Sequence, residues 1–185
     1  MLDKIAILFE LLASVLAWAG AGAGWLVYSE LKSSWGLIQA CSASVCVANE
    51  KLNNGTAAAG LLAAGGVLAF ISFVIQTLRM RGKCATRGRA IDYTLSILGL
   101  ILIAAGFAVG YMAFADSFKA SEPLVKEGKA STPGMGCAAA AIAFGALGAI
   151  LTVLNGKKAG SADPAKPVFA ASPMASAQRG HGGYP

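Results

Sequence analysis

Four uninterrupted apolar stretches, at residues 5–28, 57–78, 93–115 and 136–154, constrain this chain more than any other feature. Each is close to the ~20 residues that an α-helix needs to cross a hydrocarbon core about 30 Å thick. Glu10 is the one charged residue inside any of them. The expected fold is therefore an all-α membrane protein, an antiparallel four-helix transmembrane bundle with a small exoplasmic cap. Composition agrees: 56% of the 185 residues are hydrophobic and 13% are charged, against about 25% charged in a typical soluble domain. The bundle is expected to occupy residues 1–156, and a Pro-, Gly-, Ala- and Ser-rich segment, 157–185, reads as a disordered cytoplasmic tail.

The net charge of +6 is unevenly spread. Between the second and third stretches lie Arg79, Arg81, Lys83, Arg87 and Arg89, with no acid before Asp92. The tail adds Lys157, Lys158, Lys166 and Arg179 against Asp163. The other two loops are balanced: Lys32 and Lys51 face Glu30 and Glu50, and Lys119, Lys126 and Lys129 face Asp116, Glu122 and Glu127. Short cytoplasmic loops collect Lys and Arg, so both termini and the second loop are expected in the cytoplasm. A basic juxtamembrane loop suits anionic lipid headgroups, and no nucleic-acid partner is needed to explain the charge. Lys4, the run 5–16 and Ala17-Trp18-Ala19 also fit a cleaved signal peptide. The continuation of the run past Gly24 to Tyr28, and Asp3 at its start, favour an uncleaved span.

Small residues recur at helix-contact spacing: Gly20 and Gly24, Gly106 and Gly110, and Gly145 flanked by Ala141 and Ala149. Lipid supplies no hydrophobic force between helices, so such faces let backbones approach closely, within one bundle or between copies. Glu10 is near enough to the start of its span to reach the headgroup level, where Arg79, Arg81 or Lys157 would pair with it. Cys84, beside the basic loop, is a candidate for palmitoylation. Asn54-Gly55-Thr56 is a glycosylation sequon that reads equally as a turn. Cys137 reads as a small packing residue. His181 stands alone, without metal-ligand spacing. No catalytic constellation is evident, and neither an enzyme activity nor a cofactor is expected.

The first loop, 29–56, carries Trp35-Gly36-Leu37, then Cys41 and Cys46. On an oxidising face these cysteines allow a short disulfide-closed hairpin, with two free thiols as the alternative. Together with Trp25, this order of residues resembles the first-loop signature of the claudin and peripheral myelin protein superfamily. The signature is a tryptophan, then Trp-Gly-Leu-Trp, then two cysteines. The resemblance implies a tetraspan fold, a Cys41–Cys46 disulfide and a cap held by Trp25, Trp35, Gly36 and Leu37. Tryptophan and tyrosine favour membrane interfaces, so Trp25, Trp35, Tyr28 and Tyr111 are expected there. The resemblance also implies a non-enzymatic protein of the plasma membrane that associates side by side with its own copies or with other integral membrane proteins. Ile38 replaces the last tryptophan of the signature, and the loop is shorter than in claudins, so it is expected to supply one or two short strands at most.

Overall fold

The computed structural model describes residues 2–42, 45–48, 54–81 and 88–160. Four long helices, α1 (Leu2–Gly22), α2 (Gly55–Met80), α3 (Gly88–Lys126) and α4 (Pro133–Gly160), make up most of it. All four contain a segment long and apolar enough to cross a membrane. Helix α1 packs on α2 and α4, and α3 packs on the same two.

A small antiparallel sheet closes one end. Its strands are β1 (Gly24–Tyr28), β2 (Ser33–Gly36), β3 (Gln39–Ser42), β4 (Val45–Ala48) and β5 (Ala130–Ser131), in the order β4-β3-β2-β1-β5. It gathers the end of α1, the start of α2 and the junction of α3 with α4, which makes the bundle antiparallel.

The first loop supplies three strands, β2 to β4, which corrects the expectation of one or two from it, and β1 and β5 join them from outside the loop. The first apolar stretch does not stay helical to Tyr28. Its Gly20-Ala21-Gly22-Ala23-Gly24 run ends α1, because glycine weakens a helix interior. The following Trp25-Leu26-Val27-Tyr28 is rich in strand-forming side chains. A register shift between Gly24 and Leu26 marks an irregularity in the β1–β2 ladder. An extra residue at such a place disturbs the strict alternation of sides, and both Trp25 and Leu26 are buried.

Helix α3 likewise runs past the expected limit at residue 115. Phe107, Tyr111, Phe114 and Phe118 stack along one face, with centroids 5.7–6.3 Å apart, which carries the helix beyond its apolar run. At about 1.5 Å per residue it is roughly 58 Å long, well over the thickness of a hydrocarbon core. It stops at Gly128, whose φ of 74° suits glycine. There Gly128 N–H donates to Val125 O and Lys129 N–H to Leu124 O, the paired bonds of a Schellman cap. Helix α4 extends past residue 156, so the start of the expected tail is helical; residues 161–185, with His181, lie outside the described residues.

Candidate functional site

Two regions concentrate chemistry: the sheet end of the bundle and a polar cluster buried toward the other end. At the sheet end Trp25 is the anchor. It has no exposed surface, so it does not sit in an interfacial belt as its position suggested. Its Nε1 donates to Gly20 O at 2.8 Å, satisfying the indole N–H inside an apolar setting. Its ring lies 5.9 Å from Phe114 and 6.1 Å from Phe107. Gly110 of α3 and Gly134 of α4 make the space: a Cβ would fall 2.5 Å from Trp25 Cη2 at Gly110 and 2.7 Å from Cδ1 at Gly134.

Gly36 and Leu37 are buried beside it, and Leu37 joins Trp25 in the core, whereas Trp35 and Ile38 are exposed. The structure thus separates the motif, two residues inward and one tryptophan outward. Cys41 and Cys46 face each other across the β3–β4 ladder with Cα atoms 4.0 Å apart, joined by a disulfide. On the other flank Ser29 ties β1 to the third loop through its N–H and its hydroxyl, both donating to Lys129 O.

The glycine faces divide. A Cβ on Gly20 would sit 3.0 Å from that of Ala138, so α1 and α4 meet closely there. One on Gly106 would sit 2.9 Å from Leu62 N, on the α2–α3 contact. Gly24 lies in β1, outside any helix, and Gly110 accommodates a side chain rather than a neighbouring backbone. A Cβ on Gly145 would meet only the flexible end of Leu100, at 3.3 Å, and Ala13 at an ordinary 3.7 Å. The closest α2–α3 approach uses Gly65 and Gly99 instead: a Cβ on Gly65 would meet Gly99 O at 2.8 Å.

Asn54 is exposed at the start of α2 and its side chain caps nothing. Cys137 is a half-buried free thiol. Cys84 and the basic residues Lys83 and Arg87 lie outside the described residues, as does the side chain of Arg89.

The polar cluster is assembled from all four helices. Asp92 of α3 is fully buried. It accepts from Ser72 Oγ at 2.7 Å and Gln76 Nε2 at 3.3 Å through Oδ1, and from Arg79 Nη1 at 3.3 Å through Oδ2. Ser72 and Ser96 hydroxyls are 2.8 Å apart, and Gln76 Nε2 also reaches Thr152 Oγ1 of α4 at 3.4 Å. Glu10 of α1, 1% exposed, completes the group. Gly148 of α4 lies against it: a Cβ there would fall 3.3 Å from Glu10 Oε1. Nearby, Ser14 Oγ donates to Gly66 O at 2.9 Å, joining α1 to α2.

Two of the three basic residues expected to pair with Glu10 are accounted for elsewhere, and the third is not described. Arg79 pairs with Asp92, Arg81 is exposed, and the side chain of Lys157 lies outside the described residues. Glu10 Oε1 is the one buried side-chain oxygen or nitrogen without a hydrogen-bond partner among the described residues. Asp92, Ser72, Ser96 and Gln76 were missed as a group because loop counting put Asp92 outside the third span. A signal was present: Ser72 with Gln76, and Asp92 with Ser96, are four apart and so share a helix face.

No three or more His, Cys, Asp and Glu residues cluster in a metal-holding arrangement among the described residues. Comparison of the chain with known protein families, with curated proteins and with solved structures gave no match.

Proposed function

We propose that this is a claudin-like tetraspan membrane protein, non-enzymatic, that organises membrane by side-by-side association. The observation that carries the reading is the sheet. Three of its five strands come from the loop bearing the Trp-Gly-Leu and cysteine motif, and in claudins the corresponding loop builds most of an extracellular sheet. Here β4 is an outer strand with no neighbour beyond it among the described residues. It presents Val45 and Val47, 64% and 59% exposed, with Ile38, Leu31 and Trp35 also exposed on the cap. An unblunted strand edge is a template for another chain, and exposed apolar surface marks interaction sites.

In this reading the sheet faces the exoplasm, the termini and basic second loop face the cytoplasm of the plasma membrane, and that loop contacts anionic lipid. The test is the mass and composition of the native particle in mild detergent, alone and with Val47→Arg. A ladder of this chain alone, shortened by Val47→Arg, is the expected result. A fixed particle containing other membrane proteins, unaffected by Val47→Arg, would replace this reading with that of an accessory subunit of a channel or transporter.

A further inference from the structure

We propose that the Cys41–Cys46 disulfide is a reducible latch: an external dithiol that opens it releases strand β4 and removes the outer edge of the sheet. The latch regulates the edge through which copies of the chain associate, and to that extent it rests on the association reading.

The sheet is anchored unevenly. Strands β1 and β2 are fixed from the bundle side: Trp25, Leu26 and Gly36 are buried, and Leu37, just after β2, joins the core. In β3 and β4 none of the described side chains is buried; Val45, Cys46 and Val47 are exposed and Cys41 is half-buried. Strand β4 has β3 as its one neighbour in the sheet, paired at four positions, of which Cys41–Cys46 is one. The ladder and the disulfide therefore hold β4 without burial of apolar surface, the main driving force elsewhere in a fold. Ordering a strand costs conformational entropy that its bonds must offset, and exposed backbone hydrogen bonds open most readily. A covalent link at a cross-strand pair keeps the two strands together each time the ladder opens, because it restricts the open state. Once that link is cut, the ladder alone holds β4 among the described residues.

The same exposure gives access. Disulfide exchange needs a thiolate to reach a sulfur, and Cys46 is open to solvent. One thiolate of the dithiol attacks Cys46 Sγ, the Cys41–Cys46 bond breaks, and Cys41 leaves as a thiolate that takes up a proton. The second thiol of the reductant gives up its proton and attacks the mixed disulfide, which frees Cys46 as a thiolate that is protonated in turn. The protein disulfide gains two electrons and two protons, and the dithiol loses them on becoming a disulfide itself. The strand set free carries Val45 and Val47, 64% and 59% exposed, the side chains that the edge offers to a second copy. Reduction thus withdraws that edge, and reoxidation rebuilds it.

Backbone hydrogen exchange of the full chain in lipid nanodiscs, before and after dithiothreitol without denaturant, tests this. Peptide masses after thiol alkylation report the state of Cys41 and Cys46. The bond should be cut with the helices still protected, and exchange in β3 and β4 should rise about tenfold or more while β1 stays protected. Reoxidation should restore the slow exchange. The double variant Cys41→Ser, Cys46→Ser should exchange fast without reductant and show no further response to it. A disulfide that resists the dithiol until the bundle unfolds would overturn the proposal, as would exchange unchanged after the bond is cut. A response kept in the double variant would place the effect at another cysteine and overturn it equally. Particle mass in mild detergent, read on the same samples, separates the latch from the association reading. A ladder shortened by Val47→Arg but not by reduction would overturn the latch and leave association standing. A particle unaffected by Val47→Arg would overturn association through β4, with the latch upheld by faster exchange in β4 on reduction.

Discussion

The two ends of the bundle solve the same packing problem in opposite ways. At the sheet end helices α1, α3 and α4 converge on an indole, with Gly110 and Gly134 cut away to admit it and its one polar atom bonded to Gly20 O. At the other end all four helices converge on Asp92, Ser72, Gln76, Ser96 and Glu10, and one carboxyl oxygen is left without a partner. Apolar packing with every donor satisfied is what stability alone selects, since an unsatisfied buried polar group costs about 1–3 kcal/mol. The sheet end is thus packed as stability alone selects, and the polar end is not.

Substitutions can break that contrast, beginning with the largest effect. Trp25→Ala removes the anchor and leaves a cavity against Phe107 and Phe114; a loss of roughly 3–5 kcal/mol is expected, read as a fall in the unfolding midpoint in detergent. A loss under 1 kcal/mol would show that the disulfide-closed sheet, not the indole, holds this end. Gly110→Ala follows, with a loss in the upper part of the ~1–3 kcal/mol range for overpacking, because its Cβ would fall 2.5 Å from a ring that has no room to move. Trp25→Phe in the same chain should recover part of that loss, as coupled neighbours do. Cys46→Ser should lose about 2 kcal/mol at most, the ring being short. Its effect should be confined to the β3–β4 hairpin, seen as faster protease cleavage there with the helices intact, and impaired delivery to the cell surface. Unchanged cleavage and delivery in both Cys46→Ser and Cys41→Ser would leave the hairpin without a role for its disulfide.

The four spans were legible because long apolar runs have few other solutions. The sheet was not, for reasons visible in its residues. Ser33-Ser34-Trp35-Gly36 has a single strand former, Trp35, and Gln39-Ala40-Cys41-Ser42 has none. Their pairing is imposed by neighbours, through the disulfide and the β1 strand. Strand β1 itself was hidden inside an apolar run, where hydropathy does not distinguish a strand from the end of a helix. The motif placed Leu37 and Gly36 in the cap, and both are buried there, but nothing in it foretold that Trp35 would face outward. At the polar end Glu10 stood out as a charge within a span. Its neighbours did not, since contact across four helices at residues 10, 72, 92 and 152 depends on packing that sequence spacing does not encode.

The polar end should respond far less to substitution than the sheet end. Glu10→Gln keeps the shape of a side chain as buried as Trp25, yet removes a carboxyl that contributes little to the fold, so a stability change within about 1 kcal/mol is expected. A loss as large as that of Trp25→Ala would erase the distinction between the two ends and make Glu10 a structural residue.

Gly145→Ala should have the smallest effect of all and calibrates the glycines. Its Cβ would stand 3.3 Å from Leu100 Cδ1, the free end of a flexible side chain, and 3.7 Å from the Ala13 Cβ. A few tenths of an ångström of movement relieves that contact, while alanine is favoured over glycine in a helix by about 0.8–1 kcal/mol. The two terms nearly cancel, so the unfolding midpoint should change by less than about 0.5 kcal/mol equivalent, against the clear loss at Gly110. Equal losses at the two positions would mean that helix spacing, rather than the seat of the Trp25 ring, limits both. The sheet end would then owe its stability to the close approach of helices along the whole bundle.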